Sequence, residues 1–166
     1  MSAMTDGISG VVKMKRIYLT YDAALNTEQM ARICPTAKAV GATELKDYRL
    51  LFRGKHGAAV ASVEPMKGSA VPAMLWELSP ADEAALDRSV GCPAVCRKET
   101  MTVAHNRKRV KATAYTMHEG YPLAAPSRFY HGLLLKGYRE HGFDERVLAA
   151  ALGASKKEVG SDDTND

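Results

Sequence analysis

Asp22 directly follows the run Arg16-Ile17-Tyr18-Leu19-Thr20-Tyr21, which places a carboxyl where a strand gives way to a loop. Such a group works either as a general acid or base in a pocket, or as a turn former that hydrogen-bonds its own backbone. Cys92 and Cys96 offer thiol chemistry in a CxxxC spacing, with Cys34 as the third cysteine. An odd number without a second Cys/His cluster does not complete a zinc site. No histidine adjoins either thiol, since His105, His118 and His131 are distant in sequence. Three free thiols are expected, and no metal or other cofactor. Ser127, after Pro126, needs an activating base to be a nucleophile, and its place ahead of a helical stretch predicts an N-cap instead. Tyr21, Tyr115 and Tyr130, as tyrosines in strand and helix stretches, read as core rings with a wet tip. Neither GxGxxG nor GxxxxGK[ST] occurs, and Gly54 and Gly57 read as turn chemistry.

The elements that must hold these groups follow from periodicity and caps. Residues 1–14 are small and polar, broken by Gly7 and Gly10, and predict a flexible leader; a domain at 15–154 and a disordered polar tail at 155–166 follow. A strand at 16–21 precedes a short helix that Asn26 caps and Pro35 stops. Residues 39–45, 48–53, 58–64 and 71–78 read as four short strands of a meander, separated by Lys46-Asp47, 54–57 and 65–68. Ser79, Pro80, Asp82 and Glu83 open a helix to about Ser89, and strands at 95–104 and 109–117 flank a turn at Asn106. Ser127 caps a helix to about Glu140, and a last helix from Asp144 is expected to stop at Gly153. Strands first, with helices inserted and then appended, predict an α+β domain and not a doubly wound sheet.

With 166 residues, 46% of them apolar, the chain has enough material for one domain with its own core. No run approaches the roughly 20 apolar residues of a membrane span, and no signal peptide is evident, so a cytoplasmic protein without a membrane partner is expected. The net charge of +4 is uneven, because Lys156 and Lys157 are outnumbered by Glu158, Asp162, Asp163 and Asp166 in the tail. Arg107, Lys108, Arg109 and Lys111 form a basic hairpin tip that reads as a solvated face. Without a basic stripe interleaved with aromatics, no nucleic-acid partner is expected.

A set of ordered landmarks is more specific. Ile17-Tyr18-Leu19-Thr20-Tyr21-Asp22-Ala23-Ala24-Leu25-Asn26, Cys34-Pro35-Thr36-Ala37, Phe52-Arg53-Gly54, Val71-Pro72-Ala73-Met74-Leu75-Trp76-Glu77-Leu78, Leu86-Asp87, Gly91-Cys92-Pro93, Arg97-Lys98, Ala114-Tyr115 and Pro126-Ser127-Arg128-Phe129-Tyr130 together resemble the γ-glutamylcyclotransferase-like family over about residues 16–150. The resemblance implies a small mixed β-barrel with peripheral helices and a pocket lined by the loop after the first strand. It also implies a reaction in which the α-amine of a γ-glutamyl group attacks its own γ-carbonyl. That attack closes 5-oxoproline, expels the amine, and gains from intramolecular proximity. In such enzymes a Tyr-Gly-Ser-Asn-Leu loop cradles the substrate through backbone N–H groups, and the Glu of a Leu-Asp-x-x-Glu-Gly motif moves the proton.

This chain departs at both places. The loop reads Tyr21-Asp22-Ala23-Ala24-Leu25, and the motif reads Leu86-Asp87-Arg88-Ser89-Val90-Gly91, so the acid position holds Val90; Cys96 stands where an aromatic is often found. A general acid/base contributes roughly 10² to 10⁴-fold, none of which a valine supplies. Asp22 in place of Gly is expected to strain or reshape the cradle and to repel a substrate carboxylate. Two functions stay open: a pocket with a degenerate active site that binds or sequesters a small metabolite, or a surviving 5-oxoproline-forming enzyme with Asp22 as relocated acid/base. The resemblance places Tyr21, Asp22, Ala23, Ala24, Leu25, Val90, Tyr115, Ser127 and Tyr130 around the ligand, in a pocket either more apolar than an enzyme's or packed shut by its small side chains.

Overall fold

The strand that leads into the site, β1 (Arg16–Thr20), lies in the middle of the sheet and is walled in by a neighbour on each side. The structure, a computed structural model, describes residues 16–165, with side chains to Lys156; the leader expected at residues 1–14 lies outside the described residues. The element order continues with a 3-10 turn (Ala23–Leu25), α1 (Thr27–Ile33), β2 (Lys38–Arg53), β3 (Val60–Leu78), α2 (Pro80–Val90), β4 (Cys96–His105), β5 (Lys108–Met117), α3 (Arg128–His141) and α4 (Glu145–Asn165). This is the α+β class expected. Among the described residues no helix is long and apolar enough to cross a membrane.

Five strands form one mixed sheet in the order β2-β3-β1-β5-β4, in which β1 runs antiparallel to β3 and parallel to β5. Tyr18 and Leu19 are fully enclosed because β1 has sheet on both edges and packing on both faces. The barrel expectation needs correction here. Among the described residues β2 and β4 are both sheet edges, and no backbone ladder joins them. They meet instead through side chains: Thr43 Oγ1 donates to the Ala104 carbonyl at 2.6 Å, and the His105 ring lies against Gly41.

The four short strands expected between 39 and 78 are two long ones. Lys46-Asp47 does not end a strand but shifts its register, with Asp47 in the left-handed region (φ 64) and its carboxylate accepting the N–H of Gly68 at 2.9 Å. Pro65 and Pro72 fit inside β3 because β1 pairs with β3 only over Met74–Leu78, so the prolines sit where one ladder is absent.

Helix starts match their caps. Asn26, Ser79 and Ser127 each accept a backbone N–H three residues on, at 3.0, 3.2 and 3.0 Å, and Gly91 and Gly142 close α2 and α3 in the left-handed conformation. The last helix differs from expectation, since α4 passes through Gly153 to Asn165. Leu148, Ala151 and Ser155 are buried on one stripe that crosses Gly153, so the packing face continues and holds the helix.

Candidate functional site

Where β1 ends, Tyr21 turns the chain into the 3-10 turn, and a cavity of about 540 Å³ opens between that turn, the C-terminal end of α2, the start of β4 and the start of α3. The packed-shut alternative therefore does not describe this site. Of the loop residues, Tyr21, Asp22, Ala23 and Ala24 line the cavity, as do Val90, Tyr115 and Tyr130. Leu25 does not: it is wholly buried against α3, where Gly137 approaches the backbone of Leu25 and Asn26. Ser127 does not line it either, and its hydroxyl is used in capping α3.

Asp22 is not strained. Its φ of −103° and ψ of −156° are extended backbone that any residue adopts, so the strain expected from losing a glycine is absent. Its carboxylate accepts the N–H of Ala24 at 3.0 Å and caps the 3-10 turn. Burial raises the Asp22 carboxyl above its usual range, against the opposing pull of the backbone N–H groups of Ala24 and of Asp22 itself.

The three tyrosines divide. Tyr21 donates its hydroxyl to the Tyr115 carbonyl at 2.6 Å, and Tyr115 donates to Asp87, so both protons are spent inside the protein. Tyr130 accepts the N–H of Ala61 at 3.0 Å, a bond that does not use its own proton. Asp87 also meets Lys98 at 3.0 Å, and Lys98 reaches Glu83, to which Tyr18 donates; this network ties α2 to β1, β4 and β5. Burial is the main cause that pushes Tyr18 up to about 12, with the Glu83 hydrogen bond second, so it stays protonated.

The thiols are structural in their chemistry. Cys96 lines the cavity and donates to the Val90 carbonyl at 3.6 Å, and Cys34 donates to the Asp82 carbonyl at 3.3 Å. Burial pushes Cys96 up to about 12, helped by the neighbouring Cys92, and Cys34 up to about 11, so neither presents a thiolate at neutral pH. Among the described residues no cluster of His, Cys, Asp and Glu side chains is arranged to hold a metal ion.

Sequence reasoning missed Gln29 and Ile33 on α1, Arg88 on α2, Met117 on β5, and Phe129 and Leu133 on α3, all of which line the cavity. Ile33 lies one turn after Gln29, and Leu133 one turn after Phe129, so helical spacing carried a signal once Tyr130 was placed in the site. Phe129 is 75% exposed, a large apolar ring at the rim of the cavity. A second cavity, of about 670 Å³, is lined by charged groups that already pair with one another, Arg53 with Glu64 and Arg97 with Glu99.

A model of the gamma-glutamyl cyclotransferase, AIG2-like family matches residues 19–146. The chain belongs to that family. This cyclotransferase-family chain is similar in fold to a solved gamma-glutamyl cyclotransferase, at 23% identity and a TM-score of 0.72, covering 86% of this chain and 85% of that one. It is equally similar to an uncharacterized protein from Homo sapiens, at 22% identity, a TM-score of 0.72 and the same coverage. YkqA from Bacillus subtilis matches at 16% identity and a TM-score of 0.71, over 90% of this chain and 58% of that one. At these identities the likeness is one of fold. No curated protein matches the sequence.

Proposed function

We propose that this cyclotransferase-family chain is a pseudoenzyme: a cytoplasmic protein that holds a small metabolite in the family pocket without turning it over. The observation that carries this is the lining of the cavity. Val90 occupies the place of the motif's Glu, and Asp22 is the one carboxyl among the described residues that line the site. A proton shuttle from the attacking amine to the leaving amine has no acid at its usual position, which forfeits roughly 10² to 10⁴-fold of rate. The cavity itself persists at about 540 Å³, within the size range of small-molecule sites, and its wall is mainly apolar. Unpaired thiols at Cys34, Cys92 and Cys96 support a reducing compartment.

One observation favours the second reading, an enzyme with Asp22 as acid/base: burial raises that carboxyl toward the range a general acid works in. Incubation of the protein with γ-glutamyl amino acids and γ-glutamyl amines separates the two. The proposal expects no 5-oxoproline above background. Turnover near the usual enzyme range of about 1 to 10³ per second, abolished in Asp22→Asn, overturns it.

A further inference from the structure

We propose that the cavity takes a primary ammonium on a short apolar body, with the ammonium at Asp22 and the body against the aliphatic and aromatic wall. This rests on the binding reading above and names the ligand class. Asp22 makes no ion pair among the described residues, and its hydrogen bonds come from backbone N–H groups of its own turn. A carboxylate held against apolar surface without a cation is destabilised until something of opposite charge arrives. A ligand ammonium supplies that charge and makes charge-assisted hydrogen bonds. The remaining wall asks for hydrocarbon: Ile33, Leu86, Val90, Met117, Leu133 and the exposed ring of Phe129. A carboxylate ligand at the same spot meets like charge, and a neutral alcohol leaves the Asp22 charge uncompensated.

The titratable groups around Asp22 are Tyr21 on the loop, Tyr130 on α3, Tyr115 on β5 and Cys96 on β4, each kept neutral chiefly by burial, while Arg88 on α2 stands at the exposed rim. Neither the tyrosines nor the thiol changes charge between weakly acidic and neutral pH, so proton coupling of amine binding reports on Asp22.

The test is calorimetry on the full chain with n-hexylamine, 1-hexanol and hexanoate. The expected result at pH near 7 is hexylamine binding at least about tenfold tighter than hexanol, with hexanoate weakest. That preference disappears in Asp22→Asn, which retains an acceptor for the Ala24 N–H, and in the natural chain it shrinks as pH falls and Asp22 protonates. Equal binding of amine and alcohol overturns the ammonium inference and leaves the binding reading standing. An amine preference that persists in Asp22→Asn or is indifferent to acid also overturns it. If none of the three probes binds, the binding reading itself falls.

Discussion

Asp22 carries two opposed demands in one side chain. As a cap it must accept the Ala24 N–H, and as a charge it must sit without an ion-pair partner among the described residues. The folded protein holds the Asp22 proton more tightly than the unfolded chain does, because burial raises the folded value. The resulting contribution to stability is complete below the ordinary value of 3.8 and is lost as pH rises through the raised folded value. Asp22→Asn keeps the acceptor and removes the charge, so it is expected to be more stable than the natural chain at pH 7 by about 1 kcal/mol. The difference should fade toward pH about 3.5, read from urea midpoints across that range. Val90 was legible in the sequence because a motif with one letter changed is visible to the eye. The relaxed backbone at Asp22 was not, since backbone angles are set by the turn that follows and not by the residue type.

Helix α3 holds the site in shape, and its glycines show how. Gly137 lies where a Cβ would stand 2.8 Å from the Asn26 nitrogen and 2.9 Å from the Leu25 carbonyl carbon, whereas a Cβ at Gly132 meets nothing within 4 Å. Ala gains about 1 kcal/mol over Gly in a helix interior, but overpacking against rigid backbone costs about 1 to 3 kcal/mol. Gly132→Ala should therefore raise the melting temperature and Gly137→Ala lower it, and the second change should also displace the 3-10 turn. The caps Asn26, Ser79 and Ser127 were legible because each needs only its own short segment. The joined strands were not, because whether Lys46-Asp47 ends a strand or only shifts it depends on the partner strand supplying Gly68. Gly153 misled for a similar reason, as the buried stripe of α4 outweighs one weak helix former.

Over the whole molecule, the sheet curls far enough for its edges to touch and stops short of a ladder. The fold class followed from element order, but that gap did not, because curvature accumulates over many residues and no single one encodes it. Gly41 sits at the contact with φ +152 and an added Cβ 2.4 Å from His105 Cε1. Gly41→Ala should destabilise by about 1 to 3 kcal/mol, with amide exchange in β4 rising more than in β1. The position of Val90 carries a different kind of consequence. It packs on the core, while the residues that hold α2 in place are its neighbours: Leu86 buried, Asp87 in the charge network, Ser79 and Gly91 at the ends. Val90→Glu should lower stability by about 1 kcal/mol, measured by thermal melting, because it returns a carboxyl to an apolar wall. The anchors of α2 are thus spread over its whole length, and position 90 adds to them by packing alone. A change of side chain at 90 therefore rewrites the chemistry of the cavity wall at a cost of about 1 kcal/mol and leaves α2, its caps and its charge network in place.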